Sequence, residues 1–239
     1  MSATKFKVES LPFKSKKAPK QIPYPLPSLD NISWVCLGRR GSGKTTVICN
    51  LVRAYAKSTE TIVVLSPTIH LDKNWESISF LKNVMVSSVC DNQILAEIID
   101  TQVEAYDFNK PNENRLLLVI DDFGNSFKRR EMRKEINKIF TLFRHYGGAL
   151  ICGIQSIAHL EGLQITNTMQ WLFWDTNKKA LKKTCQDIAT ANMDEDQLQD
   201  FIVKNTKNPY SFVFIDYTKP PEEQFRIGFD TIYNPPSKD

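Results

Sequence analysis

Gly38-Arg39-Arg40-Gly41-Ser42-Gly43-Lys44-Thr45 follows directly on the short apolar run Trp34-Val35-Cys36-Leu37. The run reads as a buried strand, the glycine-rich stretch as a tight loop, and the residues from Thr45 to about Ala56 as a helix. A loop so placed is built for phosphate. Glycines at 38, 41 and 43 let the backbone curl until successive N–H groups face phosphate oxygens. Lys44 is spaced to reach the β- and γ-phosphates, and the Thr45 hydroxyl to ligate Mg²⁺. The helix then aims its positive end at the same phosphates. The expected nucleotide-binding set is Gly38, Arg39, Arg40, Gly41, Ser42, Gly43, Lys44, Thr45 and Thr46, with ATP and Mg²⁺ as ligands. The plain alternative is a glycine-rich turn before an ordinary helix.

Outward from this loop, apolar runs alternate with helical patterns. Strands are expected at Trp34–Leu37, Thr61–Leu65, Val84–Val86, Leu116–Ile120, Ala149–Ile154, Trp171–Trp174 and Phe212–Ile215. Helices are expected near 45–57, 72–82, 91–106, 129–146, 177–190 and 194–204, with Asp91 and Asp194 as caps. Such alternation argues for an α/β fold of the P-loop NTPase class, a mostly parallel central sheet with helices on both faces.

The 239 residues suffice for one well-buried domain and are short for two. No run of about 18 apolar residues offers a membrane span, and the N-terminus lacks the apolar core of a signal peptide. Cys36, Cys49, Cys90, Cys152 and Cys185 are scattered without metal-ligand spacing, which fits reduced thiols inside a cell. The net charge of +4 resides in residues 1–30, where Lys5, Lys7, Lys14, Lys16, Lys17 and Lys20 face only Glu9 and Asp30. The same stretch holds five prolines, so it reads as an extended arm. Contact with nucleic acid or a partner and simple solvation are equally open for it. The organisation is therefore a basic arm (1–30), a nucleotide-binding domain (31–230) and a tail (231–239), whose Asn234-Pro235-Pro236-Ser237 reads as a frayed end.

Leu116-Leu117-Leu118-Val119-Ile120 ends abruptly in Asp121 and Asp122. Two acids at the end of a buried strand are costly unless cations or water meet them. Beside a phosphate loop, Asp121 takes the Mg²⁺ role and Asp122 the role of general base for water. Gln155 ends the run Ala149–Ile154, at the kind of strand end where α/β sheets bind ligands. Its amide suits holding the attacking water and the γ-phosphate together. Arg144 closes the 129–146 pattern and is open to two readings: an arginine finger acting on a neighbouring subunit, or a cation on the helix's last carbonyls. Arg115, Arg129, Arg130 and Arg133 are rivals for the finger. Two basic surfaces, Lys128 with Arg129, Arg130 and Arg133, and Lys178 with Lys179, Lys182 and Lys183, are candidates for DNA contact. The first is favoured, and solvated helix faces are the alternative. What holds the base is open among Trp34, Tyr24 and Phe229.

The order of these elements resembles a known group. It runs from the phosphate loop through Leu65-Ser66-Pro67-Thr68, the Leu116–Asp122 strand, Leu142-Phe143-Arg144-His145 and Ala149–Ser156. It closes with Tyr210–Asp216 and Phe225–Asp230. Over roughly residues 30–230 the chain is similar to the DNA-packaging ATPases of large eukaryotic DNA viruses, virophages and polinton-like elements, in the FtsK–HerA branch. The resemblance implies a RecA/FtsK-like fold and a homo-oligomeric ring, a pentamer or hexamer. That ring threads double-stranded DNA into a preformed capsid, with capsid or portal-vertex proteins as partners. It also implies an arginine supplied in trans, for which Arg144 holds the matching place, and work inside the host cell at the site of virus assembly and in the virion. Asp122 departs from the glutamate common in the wider branch. No appended nuclease domain is expected. Two other functions stay in view: a nucleoside or nucleotide kinase on the same loop, and a nucleotide-switched assembly or DNA-anchoring protein.

Overall fold

In the computed structural model, which describes residues 4–13 and 17–235, the apolar run becomes strand β1 (Ser33–Leu37), buried along its whole length. Val35 and Leu37 join one apolar core, while Trp34 and Cys36 join another. A strand that is apolar on both faces is stable only when both are covered. The remaining strands are β2 (Thr61–Leu65), β3 (Val84–Ser87), β4 (Leu116–Asp121), β5 (Gly148–Ile154), β6 (Gln170–Phe173), β7 (Val213–Asp216), β8 (Phe225–Ile227) and β9 (Thr231–Ile232). Their order across the sheet is β3-β2-β4-β5-β1-β6-β7-β8-β9. The first six of these are parallel, and β7, β8 and β9 continue the sheet antiparallel. Six parallel strands put all their carboxyl ends on one edge, and β5 stands between β1 and β4 there.

Helix α1 (Lys44–Tyr55) covers one face. The other face carries α2 (Asn92–Ala105), α3 (Gly124–Phe127), α4 (Arg130–Thr141), α5 (Gly162–Thr166), α6 (Lys178–Ile188) and α7 (Glu195–Asn205). The expected caps are present: Asp91 accepts from the Ile94 N–H at 2.9 Å, and Asp194 forms a reciprocal capping box with Gln197. No helix among the described residues is long and apolar enough to cross a membrane. All five cysteines are buried and unpaired.

Two helix expectations are corrected. The 72–82 stretch is a 3₁₀ segment, Lys73–Ile78. Trp75 and Ile78, three apart, both pack under α1, and Ser77 Oγ donates to the Asn74 carbonyl at 2.6 Å, which competes with α-helical bonding. The 129–146 pattern is cut in two: α4 stops at Thr141 and a 3₁₀ turn, Phe143–Tyr146, precedes Gly147 at φ 71°. Phe143 thereby turns onto Gly148 at the foot of β5.

The leader is extended and is also docked. Phe6 and Phe13 are buried in the α1-side core. Glu9 meets Arg53 at 2.6 Å and its backbone pairs with the Asn50 amide, while the Arg53 guanidinium lies over Phe13. Lys5, Lys7, Lys17 and Lys20 are exposed. Lys14 and Lys16 lie outside the described residues, as does the end of the tail from Pro236. Thr231–Ile232, expected in the tail, instead forms β9.

Candidate functional site: a phosphate cradle between β1, β4 and β5

The loop leaves β1 with the Gly38 N–H donating to the Ile154 carbonyl at 3.2 Å, which ties it to the end of β5. Gly43 has φ 96°, a conformation that a side chain disfavours, and caps α1 so that the helix begins at Lys44. Lys44 is 6% exposed, and its Nζ donates to the carbonyls of Gly38 at 2.9 Å and Arg39 at 3.3 Å. The ammonium thus crosses the mouth of the loop. Ser42 Oγ is buried without a partner. Arg39 is exposed and reaches Asp175 at 3.4 Å. Arg40, Gly41, Gly43, Lys44, Thr45 and Thr46 line one side of a cavity of about 610 Å³.

Strand β4 delivers the acid pair to the same place. Asp121 is 1% exposed, and its Oδ2 accepts from Thr45 Oγ1 at 3.3 Å. Burial pushes the Asp121 carboxyl up to about 7, the neighbouring Asp122 charge adds to the shift, and Lys44 opposes it. Its Oδ1 has no partner. A buried carboxylate oxygen without a donor, beside a threonine hydroxyl, is the donor set that a hard divalent cation takes. Among the described residues no three His, Cys, Asp or Glu side chains form a metal cage. A nucleotide-borne Mg²⁺ needs none, since phosphate and water complete its shell.

The strand between them is shaped around this carboxylate. A Cβ added to Gly153 would sit 2.0 Å from Asp121 Oδ1, so only glycine fits. Asp122 turns out of the strand with φ 60°, held by its N–H on the Gly153 carbonyl at 3.1 Å. Gln155 Nε2 donates to Asp122 Oδ1 at 3.1 Å. Strand order explains the meeting: β5 inserts between β1 and β4, so its end sits between loop and acids. Asp122 also lines the 610 Å³ cavity.

Other expected residues fall elsewhere. Arg144 stands on the 3₁₀ turn at the amino end of β5, the edge opposite the phosphate loop, and its Nε is buried without a partner. Arg115 is tied to Asp30 and accepted by the Pro111 carbonyl, and Arg133 is paired with Glu161 at 2.8 Å, which spends both on local structure. Lys128, Arg129 and Arg130 are exposed where the chain leaves the acid pair to enter α4. Lys178, Lys179, Lys182 and Lys183 are exposed on α6.

The three base-holding candidates are overturned. Trp34 and Phe229 are core residues, 0% and 3% exposed, and Trp34 stacks on Phe214. Tyr24 is engaged by Arg226 at 2.6 Å and covers its guanidinium.

A profile of the poxvirus A32 protein family matches residues 28–230. The chain belongs to that family. No match is found among curated proteins. Among solved structures, this A32-family chain is similar to B204, the DNA-packaging ATPase from Sulfolobus Turreted Icosahedral Virus. The identity is 17%, covering 85% of this chain and 98% of that one, with a TM-score of 0.60. It is similar also to the pCW3 conjugation coupling protein TcpA (14% identity, 95% and 69% covered, TM-score 0.57). A third likeness is to the cytoplasmic domain of the Thermomonospora curvata type VII secretion ATPase EccC (15% identity, 85% and 26% covered, TM-score 0.54). These likenesses show the fold alone: the A32-family chain has the mostly parallel, helix-flanked sheet of a P-loop NTPase.

Sequence reasoning missed part of the wall. Thr68, Leu71 and Asp72 from the loop after β2 and Asn74 from the 3₁₀ segment line the 610 Å³ cavity, and so does Tyr210. The signal for the first was present in Ser66-Pro67-Thr68 directly after a strand. For Tyr210 it was the Asn208-Pro209 turn ahead of one.

Proposed function

We propose that this protein hydrolyses ATP and couples hydrolysis to moving double-stranded DNA into a viral capsid. The observation that carries the reading is the Gln155–Asp122 hydrogen bond beside the Lys44 loop. In this reading it presents a carboxylate and an amide to the water that attacks the γ-phosphate. The A32 family and the fold shared with B204 support the packaging role.

In this reading Lys44 releases its loop carbonyls and turns to the β- and γ-phosphates. Thr45 and Asp121 would hold Mg²⁺, which when bound neutralises charge on those phosphates. Asp122 accepts the proton of the attacking water, and Gln155 orients that water. Arg144, on the far edge of the sheet, serves the site of the next copy in a ring of five or six. Lys128, Arg129 and Arg130, which come after α3, follow the DNA backbone, with Arg133 beside them on Glu161. The leader (1–30), the ATPase unit (31–230) and the tail (231–239) then form one motor subunit. It works inside the infected cell with capsid or portal-vertex proteins.

The test is ATP turnover with and without double-stranded DNA of unrelated sequences across a salt series. Turnover rises with any duplex, and the rise fades steeply with salt because phosphate contacts release counterions. Labelled γ-phosphate appears as free phosphate. Turnover indifferent to all DNA would refute the motor, and label transferred to a nucleoside or nucleotide would make the protein a kinase.

A further inference from the structure

The 610 Å³ cavity accounts for the phosphates, but nothing assigned so far holds the rest of a nucleotide. Next to it lies a second cavity of about 360 Å³, bounded by the phosphate loop and by residues 206–211. Tyr210 lines both.

Tyr210 is 72% exposed. The backbone beneath it is at φ 63°, a conformation tyrosine rarely adopts. A tight turn holds it there: Ser211 returns both its N–H (3.1 Å) and its hydroxyl (2.6 Å) to the Asn208 carbonyl. The ring is aimed at the loop, since a Cβ on Gly43 would sit 3.4 Å from Tyr210 Cδ1 and 4.0 Å from Trp174 Nε1. Trp174 is 1% exposed, and its Nε1 has no partner although it lines the second cavity. A fixed, exposed aromatic face and an unspent buried donor therefore flank the glycine that precedes the phosphate-binding lysine.

We propose that Tyr210 is the platform on which the base of the bound nucleoside triphosphate stacks, in the 360 Å³ cavity. The platform deepens the ATPase reading and rests on it. Three polar groups around the cavity are spent on local structure, while Trp174 Nε1 and Ser42 Oγ are not. Thr206 Oγ1 donates to the Ile202 carbonyl at 2.8 Å, Ser211 is spent on Asn208, and Asp175 faces Arg39. Stacking accepts every base, because each has a π-face. The platform itself therefore does not choose among bases.

Calorimetric titration with ATP, GTP and inorganic tripolyphosphate, each with Mg²⁺, tests the platform on the full chain. Tyr210→Ala weakens ATP and GTP alike by roughly 10- to 100-fold, the range of one lost base–aromatic stack. It leaves tripolyphosphate binding unchanged, and Tyr210→Phe binds all three as the wild type does. ATP bound equally well by Tyr210→Ala overturns the inference, and so does an equal loss of tripolyphosphate, which marks a merely structural tyrosine. Wild-type protein that binds tripolyphosphate and neither nucleotide overturns the platform alone. Failure to bind any of the three removes the ATPase reading as well.

Discussion

Strand β5 ends in two different kinds of surface. At its carboxyl end Gln155 lies 3.1 Å from Asp122, Gly153 makes room for Asp121, and Gly38 is bonded back to Ile154. Gln155, Asp122 and Gly38 there are answered by groups of the same chain, and Asp121 keeps one oxygen unpartnered. At its amino end Arg144 stands on a short turn with a buried, unpartnered Nε and no ion pair among the described residues. The seven residues of β5 separate the ends by roughly 20 Å at ~3.3 Å per residue, too far for Arg144 to touch its own chain's phosphates. In the proposed function the first end is half of a hydrolytic site, and the second is the part offered to the next copy.

The largest effect breaks the first end. Lys44→Ala removes the ammonium that spans the loop, and ATP turnover falls below detection while the fold, read by circular dichroism, persists. Next in size, Arg144→Ala lowers turnover by ~10³-fold or more if it acts as a finger. Mixing that variant with Lys44→Ala protein restores activity, because a copy with an intact loop then meets a copy with an intact arginine. Two inactive variants that stay inactive when mixed would return Arg144 to a structural role and dissolve the contrast between the two ends.

The smallest effect concerns stability. The folded Asp121 carboxyl titrates near 7, above its ordinary range, because it is buried. The folded state therefore holds this proton after the unfolded chain has lost it. The group favours the fold below about pH 4, and that contribution is lost as the pH rises towards 7. Asp121→Asn removes the loss: without nucleotide the variant is more stable than wild type at pH 8, by on the order of 2 kcal/mol, and gains nothing at pH 4. Thermal melts across pH check this, and added Mg²⁺-ATP raises the melting temperature of the wild type alone. A destabilised variant at pH 8 would mean that Asp121 is held by partners rather than waiting for a cation.

The carboxyl-end machinery was legible in the sequence because its parts are local. A strand, three glycines and Lys44-Thr45 are contiguous, and Asp121-Asp122 ends a continuous apolar run. Gln155 was found for the same reason. What escaped depends on distant chain meeting the site. Tyr210 arrives just ahead of an antiparallel strand, on the side of β1 away from the acids, and no spacing relates it to Gly43. The 72–82 segment carried a helical pattern, yet packing of Trp75 and Ile78 at a spacing of three drew it into a 3₁₀ turn. The leader's lysines and prolines hid Phe6, Glu9 and Phe13, whose partners Phe229, Asn50 and Arg53 lie far along the chain.

Gly153 has no side chain to donate, accept or ligate, yet it faces the most constrained oxygen in the cradle. Alanine there would press a methyl group into Asp121, whereas several of the groups assigned to chemistry stand in open space. Gly153 is thus a constrained position of this cradle although it takes no part in the reaction. The room a metal and its carboxylate require is written into the chain as a missing carbon.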